Sequence, residues 1–291
     1  MSHSLKKQHT LWLLAALAAP LAHYSGSGWL VTALAALAVL PLTALPKRWD
    51  GQGRAGALVQ LLWIGVIAGA LLRSSAAYWP SDNALAVPLT LLVLAALTDA
   101  AAAPRVGAVL AFCMALTAIP GVLSGAARAE PDWLRPVSGP WPWMLCLVLL
   151  LPNLPAAGET ARSRGGAYAA ALAALLAALV QGTISARVAA AVPDPFYQTA
   201  RTLGRLEPVL AAGITLGWYA LTGYLLHSAR SIAQSSGLGN RWATVLVTGT
   251  AALVLLTKVQ LPQPSGALFS GLLWVLVPLL NKIKNVEKNE N

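Results

Sequence analysis

Charge is scarce in this chain: among 291 residues there are 20 Lys or Arg and 10 Asp or Glu. A water-soluble domain is about a quarter charged, so that class is excluded. Cysteine is nearly absent as well. Cys113 and Cys146 both lie in apolar runs, which excludes a disulfide scaffold and fits small core residues. With 57% apolar residues, disorder is excluded too. The four histidines, His3, His9, His23 and His227, show no ligand spacing, and no H-E-x-x-H or C-x-x-C occurs, so no metal site is expected. A phosphate-binding glycine loop, a G-x-S-x-G elbow and a Ser-His-Asp set are also missing. The expectation is a non-enzymatic protein without a cofactor.

What the chain does have is length of apolar sequence, with a mean hydropathy of +0.65. The net charge of +10 comes from basic residues scattered singly or in pairs between hydrophobic runs. That pattern speaks against nucleic acid and for an orientation signal in a polytopic membrane protein. A spanning helix needs roughly 20 mostly apolar residues. Charge-poor stretches of that kind fall at about 10–23, 29–45, 56–77, 84–103, 105–123, 140–158, 166–192, 206–230, 241–259 and 264–281. The first two are divided by Tyr24-Ser25-Gly26-Ser27-Gly28. Lys6 and Lys7 before an apolar run also suit a signal peptide, with Ala16-Leu17-Ala18 resembling a cleavage site. A second apolar span follows so soon that a retained hairpin is favoured.

These stretches predict an all-α protein of ten transmembrane helices. With the N-terminus inside, Lys6, Lys7, Lys47, Arg48, Arg54, Arg105, Arg162, Arg164, Arg230, Arg241, Lys282, Lys284 and Lys288 are cytoplasmic. The outer segments and outer helix ends hold only Arg73, Arg128, Arg135, Arg187, Arg201, Arg205 and Lys258. This bias obeys the positive-inside rule and puts both termini in the cytoplasm of a cell (inner) membrane protein. Trp29, Trp79, Trp133, Trp141 and Trp143 fall at the outer interface, and Trp12, Trp49 and Trp242 at the inner one.

The longest outer loop, Ser124 to Gly139, divides a single transmembrane domain (1–291) into two repeats of five spans, about 10–123 and 140–281. An odd number of spans per repeat makes the second enter from the opposite side, as in an inverted repeat. The first helix of each repeat carries a proline break: Ala19-Pro20-Leu21 in span 1 and Pro152-Asn153-Leu154-Pro155 in span 6. Proline removes a backbone donor and frees a carbonyl in the preceding turn. In lipid such groups must face protein, water or a ligand. Proline often does no more than kink a helix, and Pro41, Pro88, Pro120 and Pro278 are read that way. The matched pair is read as a ligand site.

Charges at membrane depth are functional candidates by default. Asp99 near the inner end of span 4 suits interfacial pairing or hydration, and Lys258 can snorkel outward. Glu207 opens span 8 before Pro208, where a carboxylate acts either as a helix cap or as a ligand- or coupling-charge. Gln181, Thr183 and Ser185 in span 7, with Thr215, Trp218, Tyr219, Thr222 and Tyr224 in span 8, either line a polar cavity or hydrogen-bond between helices.

The stretch Ala18-Ala19-Pro20-Leu21 followed by Trp29-Leu30 resembles the start of the spore-germination amino acid permease family, the membrane B subunit of germinant receptors. That family belongs to the amino acid–polyamine–organocation superfamily. Phe196 to Gln234 is similar as well, with Arg201, then Leu206-Glu207, then Gly217-Trp218. The resemblance covers nearly the whole chain, with shorter loops than usual, and span 6 differs in its Pro152-Asn153-Leu154-Pro155 break. It implies an amino acid or similar small solute bound between spans 1, 3, 6 and 8, and receptor A and C subunits as partners. Ala19, Pro20, Leu21, Pro152, Asn153, Thr215 and Trp218 would line that site, with Glu207 as its charge. The alternatives are a secondary amino acid transporter coupled to protons or sodium, and a non-transporting scaffold in the bilayer.

Overall fold

The computed structural model describes residues 53–79, 83–98, 207–257 and 272–276, together with Ile184, Val188, Gln198 and Phe269. All regular structure among the described residues is helical, with no strand. Four α-helices make up most of it: α1 (Gly53–Ser74), α2 (Ala86–Leu97), α3 (Glu207–Ser235) and α4 (Asn240–Thr257). A 3-10 turn, Ser75–Tyr78, continues α1, and a π-helical turn covers Leu272–Leu276. Three of the helices lie where apolar spans 3, 8 and 9 are expected. The segment Gly53–Arg73 is long and apolar enough to cross a membrane.

Helix α1 buries Ala57, Leu61, Ile64, Ala68 and Leu72 along one stripe, the spacing of a helical face. Its opposite face is apolar too, since Leu58, Val59 and Leu62 are exposed. The same holds for Val93, Leu94 and Leu97 of α2, and for Val245, Leu253 and Leu256 of α4. A helix on the surface of a soluble protein would carry polar residues there.

All six pairs of the four helices touch. The closest approach is between α1 and α4, and two glycines make it possible. A Cβ added to Gly65 would lie 2.7 Å from Thr250 Cβ and 2.9 Å from the Val247 carbonyl oxygen. A Cβ on Gly69 would lie 2.6 Å from the Ala251 carbonyl oxygen and 2.9 Å from Val254 Cβ. Moving four residues along α1 therefore moves four residues in the same sense along α4, so the two helices run parallel. Two glycines four apart, against small and β-branched residues, form the packing face by which spanning helices bring their backbones together.

Helix α3 and α4 are joined by Ser236-Gly237-Leu238-Gly239. Gly237 has φ +69, the left-handed conformation in which a side chain costs energy. Leu238 N–H donates to the Ala233 carbonyl at 2.8 Å, and Gly237 N–H to that of Gln234 at 3.2 Å. These are the two bonds of a Schellman C-cap. The Trp242 and Ala243 amides then donate to the Gly239 carbonyl, starting α4 at once, so α3 and α4 run antiparallel.

Helix α2 is shorter than the 84–103 stretch predicts. It has 12 residues and ends where Thr98 turns extended, at φ -66 and ψ 123. Residues 99–103 lie outside the described residues. At its start, the Leu85 amide donates to Asn83 Oδ1 at 3.1 Å. Pro88 is the third residue of the helix, in a turn whose amides have no intrahelical acceptor. It therefore does not produce the kink expected of it, because it removes no helical bond there.

Candidate functional site

Of the residues singled out in the sequence, Thr215, Trp218, Tyr219, Thr222 and Tyr224 lie on α3. Glu207 is the first described residue of α3. Ala19, Pro20, Leu21, Pro152 and Asn153 lie outside the described residues, as do Gln181, Thr183 and Ser185. The structure therefore brings together the span 8 group and leaves the paired breaks of spans 1 and 6 to the sequence.

The span 8 group forms a polar seam along α3. At one end, Trp79 Nε1 donates to Thr215 Oγ1 at 2.7 Å, and Thr215 Oγ1 donates to the Ala211 carbonyl at 2.8 Å. One turn on, Trp218 is fully buried at 0% exposure and Tyr224 is buried beyond it. Thr222 Oγ1 donates to the Trp218 carbonyl at 2.8 Å. Tyr219 OH reaches across to Thr98 Oγ1 on the end of α2. Thr98 Oγ1 also donates to the Leu94 carbonyl at 2.8 Å. A hydroxyl has one proton, so Tyr219 is the donor of that interhelical bond.

At the other end of α3, Arg230 binds two helices at once. Its Nε donates to Thr244 Oγ1 of α4 at 3.1 Å. Its Nη1 and Nη2 donate to the carbonyls of Thr98 and Ala96, each at 3.3 Å. A helix C-terminus leaves carbonyls without intrahelical donors and carries partial negative charge. Arg230 supplies both the donors and the opposite charge, which explains how α2 can stop after 12 residues.

The same device recurs three times. Thr215, Thr98 and Thr244 each give their proton to the carbonyl four residues back in their own chain segment. Each then accepts from another element: from Trp79, Tyr219 and Arg230 respectively. Of the span 8 hydroxyls, those of Thr215 and Tyr219 thus bond to other elements, while that of Thr222 stays within α3.

Two polar groups of α1 stand apart. Gln60 of α1 is 2% exposed, and its Nε2 has no hydrogen-bond partner among the described residues. Arg73 Nη1, in the last turn of α1, is buried in the same condition. Among the described residues no group of three or more His, Cys, Asp or Glu side chains is placed to hold a metal ion.

Comparison of the chain with protein-family models and with curated protein sequences gave no match. Two features of the described helices leave unequal traces in the sequence. Gly65 and Gly69 carried a legible signal, small residues four apart in an apolar run. The structural work of Arg230 carried none, because a basic residue at the end of an apolar stretch also serves as an orientation charge.

Proposed function

We propose that the chain is a polytopic membrane protein of two inverted five-helix halves that binds an amino acid or similar small solute, in the manner of the spore-germination permeases it resembles. The observation that carries the architecture is the direction of the four helices. In a ten-span chain with its N-terminus inside, spans 3 and 9 run outward and spans 4 and 8 run inward. The parallel pair α1 and α4 occupies spans 3 and 9. The contacts of Trp79 with Thr215 and of Ala96 and Thr98 with Arg230 give α2 and α3, spans 4 and 8, a shared direction as well.

An inverted repeat adds a stricter requirement. A two-fold axis in the membrane plane exchanges span 3 with 8 and span 4 with 9. It must then turn the pair 3–9 into the pair 8–4. Both pairs are in contact, and both are parallel. The exposed apolar faces of α1, α2 and α4 support a hydrocarbon surrounding, and α1 at 22 residues has a length of about 33 Å, close to the hydrocarbon thickness. Multi-pass insertion in the cell membrane, with both termini cytoplasmic, follows from the charge bias.

Labelling of single cysteines tests this topology. In a background without Cys113 and Cys146, cysteines at Ser81 and Ser138 are expected to react with an impermeant thiol reagent from outside, while Ser163 and Ser235 are silent. Outside labelling at Ser163 or Ser235 would overturn the ten-span arrangement.

The solute site rests on the paired breaks. Half-helix ends within the bilayer suit a zwitterion, the positive end facing a carboxylate and the negative end an ammonium. That accommodates a charged ligand in spans with few charged side chains. Calorimetry of the purified protein against a panel of amino acids is expected to find a binder. Its affinity should fall at least about tenfold (roughly 1.4 kcal/mol) in the Pro20→Ala, Pro152→Ala double variant, with little change in thermal stability. Unchanged affinity in that variant would reduce the breaks to kinks. Binding without uptake in proteoliposomes fits a receptor subunit, with A and C subunits as partners; uptake fits a transporter.

A further inference from the structure

We propose that the open groove between the end of α2, the last turns of α3 and the start of α4 holds the headgroup of an anionic phospholipid from the cytoplasmic leaflet. The groove has a volume of about 640 Å³, and its lining includes Thr98, Arg230, Arg241 and Thr244. Among the described residues no carboxylate lines it. Arg230 brings its charge to the floor while its guanidinium spans Thr244 and the α2 carbonyls. Arg241, also on the lining, is exposed.

The rim has the opposite character. Leu97 and Val245, which also line the groove, are 77% and 59% exposed. Trp242, next to Arg241, is 65% exposed, as a tryptophan at the headgroup level is. A basic floor with an apolar rim fits a ligand with an anionic head and a hydrocarbon tail. Basic pockets between spanning helices on the cytoplasmic side hold such headgroups. The amide end of α4 adds partial positive charge. A free phosphate ion matches the arginines but leaves Leu97 and Val245 without a partner.

This inference rests on the membrane-spanning reading and is independent of the solute. The full chain is reconstituted in nanodiscs of phosphatidylcholine, alone or mixed with phosphatidylglycerol, and the lipids it retains are counted by native mass spectrometry. Wild type is expected to retain phosphatidylglycerol over phosphatidylcholine. Arg241→Gln should lower that preference about fivefold, and Arg241→Lys should keep most of it. Inorganic phosphate added to the detergent-solubilised protein should not raise its melting temperature, whereas phosphatidylglycerol should. Equal retention of the two lipids, an undiminished preference in Arg241→Gln, or equal stabilisation by inorganic phosphate overturns the headgroup site. Failure of wild type to enter phosphatidylcholine discs overturns instead the spanning reading beneath it.

Discussion

Replacing Gly69 with leucine is expected to force α1 away from α4 and to cost about 3 kcal/mol or more of stability, at the upper end of what overpacking does. The first atom of the new side chain would meet the Ala251 carbonyl oxygen at 2.6 Å and the Ala251 Cα at 3.1 Å. Both belong to backbone, so no rotamer change relieves the clash. Gly65→Leu should behave alike, since the Val247 carbonyl oxygen stands 2.9 Å from its Cβ position. Gly237→Ala is the useful contrast. Nothing lies within 4 Å of its Cβ, and its cost of about 1–2 kcal/mol comes from backbone conformation alone. Spin labels at the exposed positions Leu62 and Leu253 should move apart in Gly69→Leu and stay in place in Gly237→Ala. An unchanged distance and unfolding midpoint in Gly69→Leu would refute the close packing.

Arg230→Ala is expected to have the second large effect, about 2–3 kcal/mol, because charged hydrogen bonds of this kind carry roughly 1.5–3 kcal/mol. The variant removes the donor to Thr244 and leaves the Ala96 and Thr98 carbonyls without the arginine that binds both. The damage should concentrate at the end of α2. There the Thr98 amide, which donates to the Leu94 carbonyl at 3.1 Å, should exchange its proton for deuterium much faster. Arg230→Lys keeps the charge, but a compact ammonium cannot bridge three acceptors in a fork, so less than half the stability should return. Thr244→Val removes one acceptor only and should cost about 1 kcal/mol. Wild-type exchange at Thr98 in Arg230→Ala would show that α2 ends there for another reason.

Hydropathy made α1, α3 and α4 legible, because a run of apolar residues that long has few alternatives to helix. One end was legible where local chemistry decides it: Gly237 closes α3. The end of α2 was not. Thr98 stops the helix with the help of an arginine 132 residues away, and nothing near 98–103 announces that partner. Thr215 and Trp218 were recognised as noteworthy while their roles stayed open, since a hydroxyl on a helix reads the same whether it faces a cavity or a neighbour. The glycine pair went unread for a different reason. On a hydropathy scale glycine is only a weak apolar residue, while its value here lies in the side chain it lacks.

The contact of α1 with α4 sets where this protein can bend. Backbones that touch without intervening side chains leave no room for one helix to tilt or slide past the other. Those two helices are therefore expected to move as a single beam in any change of shape. Among the described residues, the joint at Thr98 is held differently, by hydrogen bonds rather than by touching backbones. There, breaking the bonds from Tyr219 and Arg230 would let the end of α2 swing while the beam keeps its form.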